Sequence, residues 1–370
     1  MPRVHKKASA IERNGEIVNR LLAWYARDKR SLPWRVDSGL PDAYQVLVSE
    51  LMLQQTQVAT VIDYFRRFID ALPTIHDLAA ADEQQVLRLW QGLGYYSRAR
   101  NLHKAARLVV SDFAGEIPQT VDALLTLPGV GRYTAGAIAS LAFGRAEPIL
   151  DGNVMRVLCR LDAVQADPRH RATTEQLWQR ASDLVTHAST SAADFNSGLM
   201  ELGATVCTPR NPSCLICPVR ASCRAFEDGL VDSIPPAKLR KPTPAERRDV
   251  MGVCRRDGGK ASWLVEQRPA TGRWANLWQF VTREYDDLAP WKTRARPLGQ
   301  ITHQLTHRHY TFDIYLLESD DPFAPANGAV WADAAKLDEL PMPRPHLKIR
   351  QMFELAVETE SNKNSGAKRG

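Results

Sequence analysis

Apolar positions recur at helical spacing through the first 228 residues. Ile17, Val18, Leu21, Leu22, Trp24 and Tyr25 fall on one face of a helix over 17–27, and Leu32-Pro33-Trp34-Arg35 ends it in a loop. The same spacing predicts a helix over 44–68 with a break near Gln54-Gln55-Thr56. It predicts further helices over 77–90, 101–113, 121–127, 133–143, 153–163, 173–187 and 194–206. Strand alternation is nearly absent, so this part of the chain reads as all-α.

The texture changes after Pro235-Pro236, where a basic stretch ending in Pro242-Thr243-Pro244 cannot continue a helix. Val250–Cys254, Trp263–Gln267, Leu277–Val281 and Thr311–Leu317 alternate or are β-rich, and His346–Val357 reads as a closing helix. The expected organisation is a basic arm over 1–16, a helical region over 17–228, a Pro-rich basic linker over 229–246, an α+β domain over 247–357 and a disordered polar tail over 358–370. A chain of 370 residues exceeds what one hydrophobic core ordinarily supports, in keeping with that division.

Two polar residues interrupt apolar patterns. In Val46–Leu53 only Ser49 and Glu50 are polar. A glutamate there either snorkels to a helix edge or an ion pair, or is a desolvated carboxyl whose raised pKa suits a general acid; the residues weigh the two evenly. In Leu127-Pro128-Gly129-Val130-Gly131-Arg132-Tyr133 two glycines permit a tight helix-to-helix turn that opens a helix N-terminus able to face a phosphate, although a lone Gly-x-Gly is more often an ordinary αα-hairpin. Asp151, before Gly152-Asn153-Val154, reads first as an N-cap.

Four of the six cysteines lie at Cys207, Cys214, Cys217 and Cys223, in the spacing Cys-x6-Cys-x2-Cys-x5-Cys. That packing suits a metal centre better than disulfides, with zinc as the generic rival. Arg210, Arg220 and Arg224 beside the loop suit DNA phosphates or a solvated basic surface, and Cys159 and Cys254 read as packed thiols. The excess of 48 basic over 42 acidic residues, a net charge of +6, mildly favours a polyanionic partner. Met1–Glu16 has no apolar signal core and no later run approaches the roughly 20 apolar residues of a membrane span, so the expectation is a soluble cytoplasmic protein, associated with the nucleoid and not with a membrane.

Ser49-Glu50-Leu51-Met52-Leu53-Gln54-Gln55-Thr56-Gln57, the Gly129/Gly131 turn with Asp151 and the cysteine spacing together resemble the MutY-type adenine DNA glycosylases of the helix-hairpin-helix, endonuclease III superfamily. The resemblance covers roughly 17–355 and is strongest over 44–223. It implies an all-α helix-hairpin-helix glycosylase region with an iron-sulfur lobe, followed by an α+β Nudix-like domain. It assigns Glu50 to protonation of adenine and Asp151 to stabilisation of an oxocarbenium-like sugar, supported by Tyr133 and Asn153. Where bifunctional relatives carry a lysine this chain has Tyr133, which cannot form a Schiff base, so a monofunctional enzyme is expected.

The resemblance further implies a [4Fe-4S] cluster on Cys207, Cys214, Cys217 and Cys223, and an adenine pocket of Trp34, Arg35 and Leu53. It implies DNA contacts through Gly129, Gly131, Gln55, Thr56, Leu93, Tyr95 and Arg98, with Gln55 and Tyr95 as wedges. Without it, Trp34, Tyr95 and Tyr133 read as core aromatics. Ser197 stands where many members carry Gln or Glu near the adenine. Over 247–355 the match runs through Arg268–Phe280 and Leu305-Thr306-His307, which replaces a Phe-Ser-His motif, so Thr306 and His307 are expected at 8-oxoguanine. His307 and His309 are expected to alternate along one strand. No Glu-rich metal-binding Nudix helix is present, which favours a binding module over a pyrophosphatase.

The implied partner is double-stranded DNA with A:8-oxoguanine or A:G mispairs, bound by a monomer whose linker offers a site for repair proteins. Two other readings are a bifunctional glycosylase and lyase for damaged pyrimidines and a non-catalytic iron-sulfur protein that binds DNA damage.

Overall fold

The computed structural model describes residues 9–237, 242–257, 260–318 and 328–366. By contact the chain divides into two units, Met1–Ala80 with Asn101–Leu239, and Ala81–Arg100 with Arg240–Gly370. Residues 1–8, 238–241 and 367–370 of the expected arm, linker and tail lie outside the described residues. Among the described residues no helix is long and apolar enough to cross a membrane.

Helix α1 (Ala10–Asp28) begins seven residues before the first expected helical position, because Ser9 and Glu12 form a reciprocal capping box. The expected break at 54–56 separates α2 (Ala43–Leu53) from α3 (Val58–Ala71). The expected 77–90 helix is two, α4 (Ile75–Ala80) and α5 (Glu83–Leu89), since Asp82 caps the second through the Gln84 amide. They are followed by α6 (Ser97–Asp112), α7 (Val121–Leu124), α8 (Arg132–Phe143), α9 (Gly152–Leu161), α10 (Arg171–His187), α11 (Ala192–Thr205) and the short α12 (Arg224–Glu227).

The core of the first unit joins Ile17 and Leu21 of α1 to Val154 and Leu158 of α9, Leu184 of α10, and Phe195, Leu199 and Leu202 of α11. Burying such side chains stabilises by about 1.5–3 kcal/mol each. Gly203 lets α11 approach α9, since a Cβ there would lie 2.7 Å from Cβ of Asn153. Ile234, expected in the linker, is buried in this core.

In the second unit a mixed sheet has the order β4-β5-β1-β3-β2-β6. Its strands are β1 (Ala245–Asp257), β2 (Lys260–Gln267), β3 (Trp278–Glu284), β4 (Arg296–Leu305), β5 (Arg308–Glu318) and β6 (Ala329–Ala332). Among the described residues only β1 and β5 pair in parallel. The apolar run Val250–Cys254 is buried at the centre, with Met251 and Val253 on one face and Val250 and Cys254 on the other. The second face is covered by Ile349, Phe353 and Val357 of the last helix.

The structure departs from the sequence pattern in two strands, one turn and the tail. Strand β4 was hidden by polar residues on its outer face, and β6 by its shortness. Leu305 pairs with Arg308, so Thr306 and His307 form a two-residue hairpin turn, and His307 does not alternate with His309 along one strand. Two short helices, α13 (Ala289–Lys292) and α14 (Ala334–Glu339), precede α15 (Arg344–Gly366), which runs through most of the expected tail. The stretch Glu358–Ser365 contains no Pro or Gly to stop it.

Candidate active site

Helix α2 is buried from Tyr44 to Met52 apart from Gln45, and packs on α8, so its one carboxyl is taken out of water. Glu50 is only 5% exposed. Burial pushes its carboxyl up to about 7; a hydrogen bond from Tyr133 pulls down, the Asp151 charge pushes up and Arg35 pulls down. The snorkelling alternative is thereby set aside. The Tyr133 hydroxyl donates to Oε2 of Glu50 at 2.8 Å. Burial, then the charges of Glu50 and Asp151, hold that phenol well above its ordinary range, so Tyr133 stays a donor.

Tyr133 is at this place because of the turn before it. Gly129 has φ +82°, and Gly131 caps α8 with no side chain, which leaves the first amides of that helix without a side-chain partner from the cap. Asp151 does cap α9: Oδ1 accepts from the amides of Asn153 at 3.0 Å and Val154 at 2.7 Å, while the Asn153 Nδ2 donates to Oδ2 at 3.0 Å. Burial raises the Asp151 carboxyl and those hydrogen bonds oppose it.

Glu50, Tyr133, Asp151 and Asn153 line a single cleft of about 510 Å³ with Trp34, Arg35, Leu53, Gln55 and Thr56. This volume suits one purine base with its sugar. Trp34 is also packed, edge-on to Phe65 at 5.3 Å, so its core and pocket readings hold together. Gln55 has φ +59°, a left-handed conformation that a non-glycine residue adopts only when its surroundings enforce it.

The expected pocket set omitted Glu201 and Arg30. Glu201 is 1% exposed and accepts from Arg30 at 2.5 Å and from Arg35 at 2.9 Å, and all three line the cleft with Ser197. Burial pushes its carboxyl up, but the two arginines prevail and hold it below its ordinary value. The signal was in the sequence: Leu199-Met200-Glu201-Leu202-Gly203-Ala204 is a lone charge in an apolar helix, the pattern that singled out Glu50.

Behind Asp151, α9 reaches the cysteine loop. Arg156 donates to Oδ1 of Asn153 and to the carbonyls of Gly203 and Cys207. Arg160, 3% exposed, donates to Sγ of Cys207 at 3.4 Å and to the carbonyls of Thr208, Val231 and Ile234. Cys207, Cys214, Cys217 and Cys223 are free thiols around one small hollow with Arg160 and Arg220. Burial pushes Cys217 up to about 12, and the other thiols push it further in the same direction. Among the described residues no three His, Cys, Asp or Glu side chains are already drawn together around one metal-ion position.

The remaining expected residues, Leu93, Tyr95, Arg98, Thr306 and His307, all belong to the second unit. Leu93 and Arg98 are buried, whereas Tyr95 is 40% exposed with φ +48°. The Arg98 guanidinium lies 5.3 Å from the Tyr95 ring centre.

A profile of the HhH-GPD superfamily of base excision DNA repair proteins matches residues 48–183, and a NUDIX domain profile matches 250–352. The chain is 38% identical to the adenine DNA glycosylase of Mus musculus over an alignment that covers 90% of this chain and 77% of that protein. It is 40% identical to the adenine DNA glycosylase of Rattus norvegicus, over 80% of this chain and 69% of that one. Among solved structures, a thermostable thymine-DNA glycosylase superposes on 59% of this chain and 98% of its own with a TM-score of 0.52 and 30% identity.

Proposed function

The chain belongs to the adenine DNA glycosylase family, and from that premise we propose that it removes adenine paired with 8-oxoguanine or with guanine, leaving the strand intact. It is a DNA glycosylase of base excision repair, with a helix-hairpin-helix region and a Nudix-like domain. The observation that carries the proposed chemistry is the buried Glu50 carboxyl, held near 7 and beside a second carboxylate in a cleft of purine size.

Glu50, protonated, donates its proton to a ring nitrogen of the extruded adenine, so the base leaves as a neutral heterocycle. The glycosidic electron pair goes to the base, and C1′ is left with oxocarbenium character. Asp151, ionised, faces that charge and lowers the barrier electrostatically, the division of labour of paired carboxyls in glycoside hydrolysis. Water then adds to C1′ and gives its proton to Glu50, which restores the acid. Tyr133 fixes the Glu50 carboxyl and Asn153 the Asp151 carboxyl. Tyr133 has no amine, which supports base release without strand cleavage.

Glu201 offers an acceptor for the exocyclic amino group of adenine, and Arg30 and Arg35 keep it ionised. The α8 amides after Gly131 offer donors to a backbone phosphate. Gln55 with Thr56, and Tyr95 with Leu93 and Arg98, serve as wedges and their supports when the base is flipped. Thr306 and His307, exposed at the hairpin turn, face the opposite base. Cys207, Cys214, Cys217 and Cys223 would hold a [4Fe-4S] cluster, which when bound ties the loop together and adds one-electron redox capacity.

The test is single-turnover base release from duplexes carrying A:8-oxoguanine, A:G, A:T or oxidised pyrimidines, each analysed with and without alkali. Adenine release from the first two, with breaks appearing only after alkali, is expected. Release from oxidised pyrimidines with direct breaks would sink the proposal.

A further inference from the structure

Residues 81–100 are tied to the β-domain of their own unit by a set of specific bonds. Asn276 donates to Glu83 at 2.5 Å, and Trp278 donates to Gln84 at 3.0 Å. Arg100 donates to the Ala275 carbonyl at 3.0 Å, and the Met342 amide donates to Gln91 at 2.9 Å. The turn they carry is held from within. The Trp90 Nε1 donates to the Gly94 carbonyl at 3.1 Å, as does Arg98 at 3.2 Å, and the Gly92 amide donates to the Tyr96 hydroxyl at 3.1 Å.

At the tip, Tyr95 carries its left-handed backbone, and its hydroxyl lies 2.5 Å from Oγ1 of Thr306 in the β4–β5 turn. An exposed phenol can be satisfied by water, so this bond is not required to pay for burial. What it does is fix the far end of a ring whose near end the turn already holds.

We infer that Thr306 is a positioning residue for Tyr95: its hydroxyl sets the angle at which the ring enters the base stack, so the β4–β5 turn acts on adenine extrusion through the tyrosine. The inference rests on the reading of Tyr95 as a wedge. A hydroxyl has one donor and two acceptor sites, so Thr306 retains capacity for DNA while it holds Tyr95.

The experiment compares Thr306→Val, Tyr95→Phe, the double variant, Thr306→Ser and Tyr95→Ala in the full-length protein. Extrusion is read from the fluorescence of 2-aminopurine at the target position, and base release from adenine duplexes under single turnover, opposite both 8-oxoguanine and guanine. Thr306→Val and Tyr95→Phe each slow extrusion and release about three- to tenfold, the scale of one hydrogen bond, opposite either base. The double variant is no slower than the slower single variant, and Thr306→Ser restores the rate. Independent losses that multiply in the double variant, or a Thr306→Val loss confined to 8-oxoguanine, overturn the inference and leave Thr306 a direct reader of the opposite base. If Tyr95→Ala is slow while Thr306→Val and Tyr95→Phe match the parent, the inference alone fails; if Tyr95→Ala also matches the parent, the wedge reading fails with it. Both side chains are exposed, so folding is not at stake.

Discussion

The hydroxyl of Tyr133 donates to Glu50 across 2.8 Å, from the first turn of α8 to the buried face of α2. Tyr133 stays protonated throughout the neutral range, so the bond favours the ionised carboxylate and opposes the burial that favours the acid. The balance leaves Glu50 near neutrality, where a general acid is most effective.

Replacing Glu50 with Gln removes the proton while keeping the volume and an acceptor for Tyr133. Adenine release should fall by about 10²–10⁴-fold, with duplex affinity within threefold of the parent. Because the folded carboxyl titrates near 7 against 4.5 for the free group, ionising it in place costs about 3 kcal/mol at pH 8. Its contribution is fully present below 4.5 and is lost as pH rises through 7. Glu50→Gln escapes that loss, so it should melt higher than the parent at pH 8, and the difference should vanish toward pH 4.5. Scanning calorimetry at several pH values checks both limits.

The rate of base release should fall about tenfold per pH unit above 7 as Glu50 loses its proton. Tyr133→Phe deletes the interaction that pulls the Glu50 pKa down, so the descending limb should move to higher pH even as the maximal rate drops. A limb that stays in place under single-turnover conditions would assign it to another group.

Asp151→Asn separates two roles of one side chain. An asparagine oxygen still caps the Asn153 and Val154 amides, so stability should change by about 1 kcal/mol or less. The negative charge proposed to face C1′ is removed, and base release should fall by about 10²-fold or more. Thermal melts beside single-turnover assays read the two roles independently. Retained turnover would reduce Asp151 to a cap.

Glu201→Gln leaves Arg30 and Arg35 sharing a neutral partner at a buried position. The cost should be about 1–2 kcal/mol of stability, because Arg30 and Arg35 remain partly solvated and the amide still accepts from them, seen as a lowered denaturant midpoint with an unchanged slope. Where the folded variant is assayed, KM should rise more than kcat falls if Glu201 binds the base, as proposed, both before and during bond cleavage.

Much of this arrangement was legible from the residue pattern. Glu50 stood out because a lone carboxyl interrupts an apolar run, and the helix breaks at 54–56 and at Gly129–Gly131 were set by local chain chemistry. Glu201 carries the same mark, but its meaning depends on two arginines 166 and 171 residues away that no local pattern connects to it. Strand β4 was obscured because its outward positions are polar and its inward ones include His303. The bonds from Glu83, Gln84, Gln91 and Arg100 to the β-domain are long-range, and no local pattern announces them.

The cap made by Asp151 has a consequence for descent. If Asp151 both starts its helix and meets the sugar cation as proposed, it cannot drift by small steps, because most replacements would injure fold and turnover together. Asparagine is the expected exception: it should spare the helix and silence the proposed reaction. A lineage that abandoned excision but still had a use for the folded protein would therefore find its shortest route at this codon, and would arrive as an intact, inert paralogue.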